Sequence, residues 1–240
     1  VTHAVDWSVE RRAIVTNALG VGIAVAAYGV SFGAIAVTGG LTVQQAMVLS
    51  VLMFTGGSQF AFIGVLIAGG GSVSAVATSV LLGLRNAFYG LSMAPILRVT
   101  GSRRLVAAQL TIDESTAMAV GRSVEHDGGR AARLAFWATG LSVFVFWNIA
   151  TLLGALGAGA LGDPRVWGLD AAIPAGFIAL VWPRLNDRRS WAIGLSAAAV
   201  ALVLTPFLRP GVPVLLTSVV AVIAGVLAVR RRLPDEGVAA

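Results

Sequence analysis

The chain contains no cysteine, which excludes disulfides and thiolate metal sites and removes the usual clue to redox compartment. Charge is scarce as well: 12% of its 240 residues are charged, against roughly 25% in soluble domains, while 57% are apolar. From Ala13 to Leu84 there is no Asp, Glu, Lys, Arg or His at all. A soluble fold needs charged side chains on its outside, so this run excludes an aqueous surface, and its solvent is lipid. Catalytic signatures are missing too. There is no His-Glu-x-x-His, Gly-x-Ser-x-Gly or phosphate loop, and His3 and His126 stand near loops, so no enzyme and no cofactor is expected.

The balance of +6 comes from arginines that punctuate the apolar runs instead of gathering on one face, which excludes a nucleic-acid footprint. Arg98, Arg103 and Arg104 follow one run, Arg184, Arg188 and Arg189 divide two others, and Arg230 to Arg232 close the last, as cytoplasmic loops do. No linker divides the chain, so residues 1–240 read as one integral membrane unit, with a short polar head at 1–12 and a polar tail at 230–240. The head lacks a convincing cleavage site, so Ala13 to Val37 reads as the first span.

A crossing takes about 20 apolar residues as helix. Ala13 to Val37, Val73 to Leu97, Leu134 to Leu161, Trp191 to Leu208 and Val212 to Val229 meet or approach that length, and Trp167 to Pro183 is a shorter sixth candidate. The expected fold is an all-α polytopic helical bundle of six to eight membrane segments, with at least one interrupted or re-entrant helix. Leu41 to Ala68 reads either as one crossing or as two half-helices meeting at Gly56-Gly57-Ser58. The re-entrant form puts the N-terminus inside. Leu105 to Val120 is expected not to cross fully, or to cross only as part of a compensated pair, because otherwise one arginine-rich loop falls on the wrong side; the C-terminus is expected in the cytoplasm.

Polar groups inside apolar segments are costly and mark either a pathway or a packing contact. Phe54-Thr55-Gly56-Gly57-Ser58-Gln59-Phe60 would break a helix and present half-helix ends suited to a carboxylate, the bland alternative being close helix packing on small residues. Arg85, centred in its span beside Asn86, either clamps a substrate carboxylate or forms a structural ion pair, with Asp113 or Glu114 as partner. If Leu105 to Val120 were one helix, Gln109, Asp113, Thr116 and Val120 would share a face. Asp113 and Glu114 would then be proton carriers in a dry bundle or solvated acids on a surface helix. Asp170, ahead of Pro174 and Gly176, reads as a second broken helix or as an N-cap.

These residues carry a family resemblance. Phe54 to Phe60, Leu84-Arg85 with Tyr89-Gly90-Leu91-Ser92-Met93-Ala94-Pro95, Thr111-Ile112-Asp113-Glu114-Ser115, and Gly168-Leu169-Asp170 through Ile173-Pro174-Ala175-Gly176-Phe177 resemble, in order, motifs of the AzlC-type branched-chain amino acid permeases. The resemblance implies export of branched-chain amino acids across the bacterial inner membrane, with a small AzlD-type membrane subunit; the residues themselves extend the expectation to similar apolar amino acids and to coupling to the proton gradient through Asp113 or Glu114. The resemblance raises the coupling or ammonium-binding reading of Asp113, Glu114 and Asp170, while the broken helix and the central cation themselves suggest substrate-binding roles for Phe54, Gly56, Gly57, Ser58, Gln59, Phe60, Arg85 and Asn86. Two departures stand out: Gly83 and Asn86 occupy places where the family often has Asn and His, and Ile112 separates Thr111 from Asp113. A passive small-solute channel and a non-transporting scaffold are the rival readings, and homo-oligomerisation is left open.

Overall fold

The computed structural model describes residues 6–122, 129–161 and 185–230, with Val166, Ile178, Val181 and Trp182 as isolated positions between. The described chain is helical, with no strand. The helices are α1 Trp7–Thr38, α2 Val43–Leu52, α3 Gly57–Ile67, α4 Ser72–Leu97, α5 Ser102–Gln109, α6 Asp113–Val120, α7 Arg130–Leu161, α8 Arg188–Leu204 and α9 Val212–Arg230. α1, α4 and α7 are long and apolar enough to cross a bilayer. With the shorter helices around them they form a helical membrane bundle. The candidate span Trp167 to Pro183 lies almost wholly outside the described residues.

The spine is the pair α1 and α7, and it runs parallel. Ile14 packs with Ala131 and Ala135, Gly22 abuts Ser142, Gly29 abuts Trp147 and Ala150, and Gly33 abuts Thr151 and Ala155, so the partners advance together. Glycine makes this possible. A Cβ on Gly33 would strike the Thr151 carbonyl, and one on Gly154 the Val30 carbonyl. Apolar side chains gain nothing from meeting each other in lipid, so close backbone approach of this kind is what holds such helices together.

Parallel α1 and α7 force the chain between them to return to its starting end. α4 supplies the return: Ser79 meets Ser58 near its beginning, and near its end the Ile96 carbonyl accepts from Arg133 Nη1, 3.4 Å away at the start of α7. The two remaining pairs therefore fold back on themselves.

α2 and α3 are the first hairpin. α2 starts beside the end of α1 with a capping box, in which Thr42 N–H donates to Gln45 Oε1 and Gln45 N–H to Thr42 Oγ1. α3 ends where it began, since a Cβ on Gly39 would lie 2.7 Å from Ile67 Cδ1. The turn between them needs Gly56, whose φ of 54° and ψ of −82° are costly for any residue with a Cβ. Its tip stands beside Trp147 and so at the level of Gly29, about 14 Å along α1 from its end at 1.5 Å per residue.

α5 and α6 form the second hairpin, entering from the opposite end. α6 ends with Met118 against Ile14 and Ala131. Its apex, Leu110 to Ile112, packs under Gly140, and Ser115 Oγ fixes it by donating to the Leu110 carbonyl (2.6 Å) and accepting from Ile112 N–H (3.1 Å). Leu105 to Val120 is thus two short helices and not one: Thr111 and Ser115 hydroxyls compete for backbone groups and break it, so the face that a single helix would give Gln109 and Asp113 does not form. α8 and α9 pack outside this core, tied to the start of α4 through Ser74 Oγ and the Pro210 carbonyl at 3.0 Å.

Candidate functional site

Where the two tips meet, α4 lays a cation between them. Arg85 Nη2 donates to the Thr55 carbonyl in the first hairpin (3.2 Å) and to Asp113 Oδ2 at the start of α6 (2.9 Å). One turn along α4, Tyr89 Oη donates to the other oxygen, Asp113 Oδ1, at 2.6 Å. The Arg85 and Asp113 side chains are only 22% and 14% exposed, so the pair is largely desolvated. Asp113 is also the first residue of α6, where an anion meets the positive end of the helix. A second tie joins the tips directly: Gln109 Nε2, at the end of α5, donates to the Val51 carbonyl at 2.7 Å.

Buried polar atoms with no hydrogen-bond partner among the described residues lie at the first tip, Thr55 Oγ1, Ser58 Oγ and Gln59 Oε1, and on α4, Arg85 Nε and Asn86 Oδ1. Such atoms carry a real cost in a membrane protein. Gln59 is 0% exposed, and its Nε2 donates to the Leu49 carbonyl at 3.0 Å, so one half of the amide is used and the other is not. Ser58 is buried with its hydroxyl toward Gly83, and its carbonyl accepts from Ser79 Oγ at 3.2 Å. α3 begins at Gly57 without a side-chain cap. The arrangement offers donors and acceptors together, as a zwitterion requires.

Aromatic residues pack beside the first tip, Trp147 lying 3.9 Å from where a Cβ on Gly56 would stand. Phe60 meets Phe32 edge-on at 5.6 Å, and Trp147 stacks on Phe32 at 6.2 Å. Phe54 is buried edge-on against Phe144 at 5.0 Å. Phe54, Gly56, Gly57, Ser58, Gln59, Phe60, Arg85 and Asp113 thus belong to one neighbourhood, with Glu114 half-buried beside Asp113 and Asn86 next to Arg85 along α4. Asp170 lies outside the described residues. For Arg85 the geometry supplies the ion-pair reading, with Asp113 as partner. Asp113 is correspondingly not on a solvated surface helix. Tyr89 and Gln109 had not been singled out as site residues. Tyr89 sits four residues after Arg85 and so on the same helix face, a signal the spacing already held; nothing in the sequence marks Val51 as Gln109's partner.

A family model described as AzlC protein matches residues 20–161, more than half of the chain and all of the site just described. The chain belongs to the AzlC family. Members of this family are membrane transporters of amino acids, which makes the bundle a transport protein in a lipid bilayer with a small-molecule substrate. No curated protein and no solved structure matches the chain.

Proposed function

We propose that this AzlC-family protein is a carrier that exports branched-chain and similar apolar amino acids, and that its substrate binds where the two hairpin tips meet. The observation that carries the reading is Arg85 shared between the Thr55 carbonyl of one tip and the Asp113 carboxylate of the other. A substrate carboxylate is the natural competitor for that guanidinium. It would gain the uncapped start of α3 and the Ser58 hydroxyl as further donors, while the ammonium takes Gln59 Oε1 and Asn86 Oδ1 as acceptors. Phe54, Phe60 and the neighbouring Phe62 supply the apolar wall for the side chain.

Proton coupling follows from the same competition. When the substrate takes Arg85, Asp113 keeps Tyr89 but loses its cation, and an unpaired anion in a dry site is neutralised by binding a proton. Return of Arg85 releases that proton after the substrate leaves. Glu114 is the adjacent carboxylate through which it passes, and Asp170 is a second candidate for coupling. A small AzlD-type membrane subunit completes the transporter. In the bacterial inner membrane the arginine-rich end is cytoplasmic by the positive-inside rule. That end gathers Arg98, Arg130 and Arg133 with the start of α1, Arg130 lying 4.0 Å over the Trp7 ring. α8 and α9 form a hairpin whose turn meets the start of α4, at the opposite end, and whose own ends meet through Arg189 and Ala224, which supports a cytoplasmic C-terminus.

The test is flux of labelled leucine, valine, isoleucine and methionine in proteoliposomes, with and without the small subunit. Saturable counterflow driven by a pH gradient is expected. Flux that rises linearly with concentration would make the protein a passive channel, no flux in either case would leave a scaffold, and an unchanged pH response in Asp113→Asn would remove the coupling role.

A further inference from the structure

The chain's two tyrosines stand in the same local sequence. Ala26-Ala27-Tyr28-Gly29-Val30-Ser31 lies on α1 and Ala87-Phe88-Tyr89-Gly90-Leu91-Ser92 on α4. The match continues at the same spacing to Ile35 and Ile96, and after one inserted residue to Val37-Thr38-Gly39 and Val99-Thr100-Gly101. Phe32 and Met93, in corresponding places, are both fully buried. Each stretch ends a long helix and leads into a hairpin that returns to the side where that helix ended. α1 to α3 and α4 to α6 therefore repeat one order of elements, a long helix and then a hairpin, in opposite directions, the arrangement of an inverted repeat.

The copies differ at the tyrosines. Tyr89 clasps its own hairpin through Asp113 at 2.6 Å. Tyr28 shares the face of α1 with Phe32 and Ile35, and Phe32 packs on Phe60 of the first hairpin. Yet Tyr28 is 38% exposed, and its hydroxyl has no partner among the described residues. At the first tip, Thr55 Oγ1 and Ser58 Oγ are buried and unpartnered. That tip is tied instead by the second unit, through Arg85 to the Thr55 carbonyl and Gln109 to the Val51 carbonyl.

We propose that Tyr28 is the positioning residue of an opposite state, in which the units exchange conformations. In that state the Tyr28 hydroxyl clasps the first tip at Thr55 or Ser58, and Tyr89 lets the second tip go. The inference rests on the carrier reading, since a protein that opens its site to two sides in turn needs a second state. Arg85 has no counterpart, Ala24 standing in its place. The ion pair therefore latches only the state seen here.

The absence of native cysteine makes the exchange measurable. In sealed vesicles, Met53→Cys reports the first tip and Leu110→Cys the second, each labelled by a membrane-impermeant thiol reagent from its own side. Tyr89→Phe should raise labelling at position 110 and lower it at 53. Tyr28→Phe, which removes one oxygen, should do the reverse, the two variants differing on the order of tenfold, within the usual range of coupling between two states. Labelling in Tyr28→Phe equal to the parent's at both positions, or moving the same way as in Tyr89→Phe, overturns the proposal. The readout needs no transported substrate. Reciprocal labelling without leucine flux supports the exchange and sinks only the carrier reading, whereas leucine flux with labelling unmoved by Tyr28→Phe sinks the role of Tyr28 alone.

Discussion

At Arg85 a cation is held in place by two elements that the chain brings from opposite ends of the bundle. Removing one member of a buried pair costs ~3 to 5 kcal/mol because the other stays unpaired. Arg85→Gln and Asp113→Asn should each destabilise at or below the low end of that range, since neither side chain is wholly dry. The double variant should lose less than the sum by about 1 to 3 kcal/mol, read by thermal unfolding in detergent. Additive losses would mean the 2.9 Å contact carries no coupling. Tyr89→Phe removes a hydrogen bond to a charged group and should cost about 1.5 to 3 kcal/mol in the same assay. Arg85 and Asp113 were legible from sequence because charge amid apolar residues stands out. Their partnership was only one of the open alternatives, because Glu114 offers the same chemistry next door.

At the scale of elements, the parallel pair α1 and α7 depends on glycines that leave no space for a Cβ. Gly33→Ala should lower stability by about 1 to 3 kcal/mol, as overpacking does when the obstructing atom is the backbone carbonyl of Thr151. Gly64→Ala is the contrast: nothing lies within 4 Å of its Cβ, and in the middle of α3 the change should stabilise by about 0.5 to 1 kcal/mol. Equal losses at both positions would show that packing against α7 is not what matters. α8 offers a pH test. Asp187 caps it by accepting from Ser190 N–H at 2.8 Å, and that bond, with the Ser190 hydroxyl, holds the carboxyl below the usual carboxylate range. A lowered carboxyl contributes stability above its ordinary range and loses it as pH falls through the lowered value. The protection factor of the Ser190 amide, which removes the intrinsic pH dependence of exchange, should accordingly fall only at acid pH below that range, and in Asp187→Ala it should be low throughout. The long helices were readable as apolar runs, and Gly56-Gly57 announced the first hairpin. The second stayed hidden within Leu105 to Val120, because its break is made by hydroxyls on Thr111 and Ser115, residues that a helix also tolerates.

On the scale of the whole molecule, two hairpins entering from opposite ends predict opposite accessibility. Gly40→Cys at the mouth of the first and Ser102→Cys at the mouth of the second should be labelled from different sides of sealed vesicles; labelling from one side would refute the inverted arrangement. What the sequence by itself determined is the solvent and the raw material: apolar runs long enough to cross lipid, arginines that choose a side, and polar residues too costly to be idle. Tertiary structure decided which of those residues meet. The parallel packing of α1 on α7, between residues more than a hundred positions apart, obliges the intervening chain to return to its starting end. Only then do Thr55, Arg85 and Asp113 converge. Local periodicity cannot encode that convergence, because it arises from backbone approach between distant helices and not from any pattern within one.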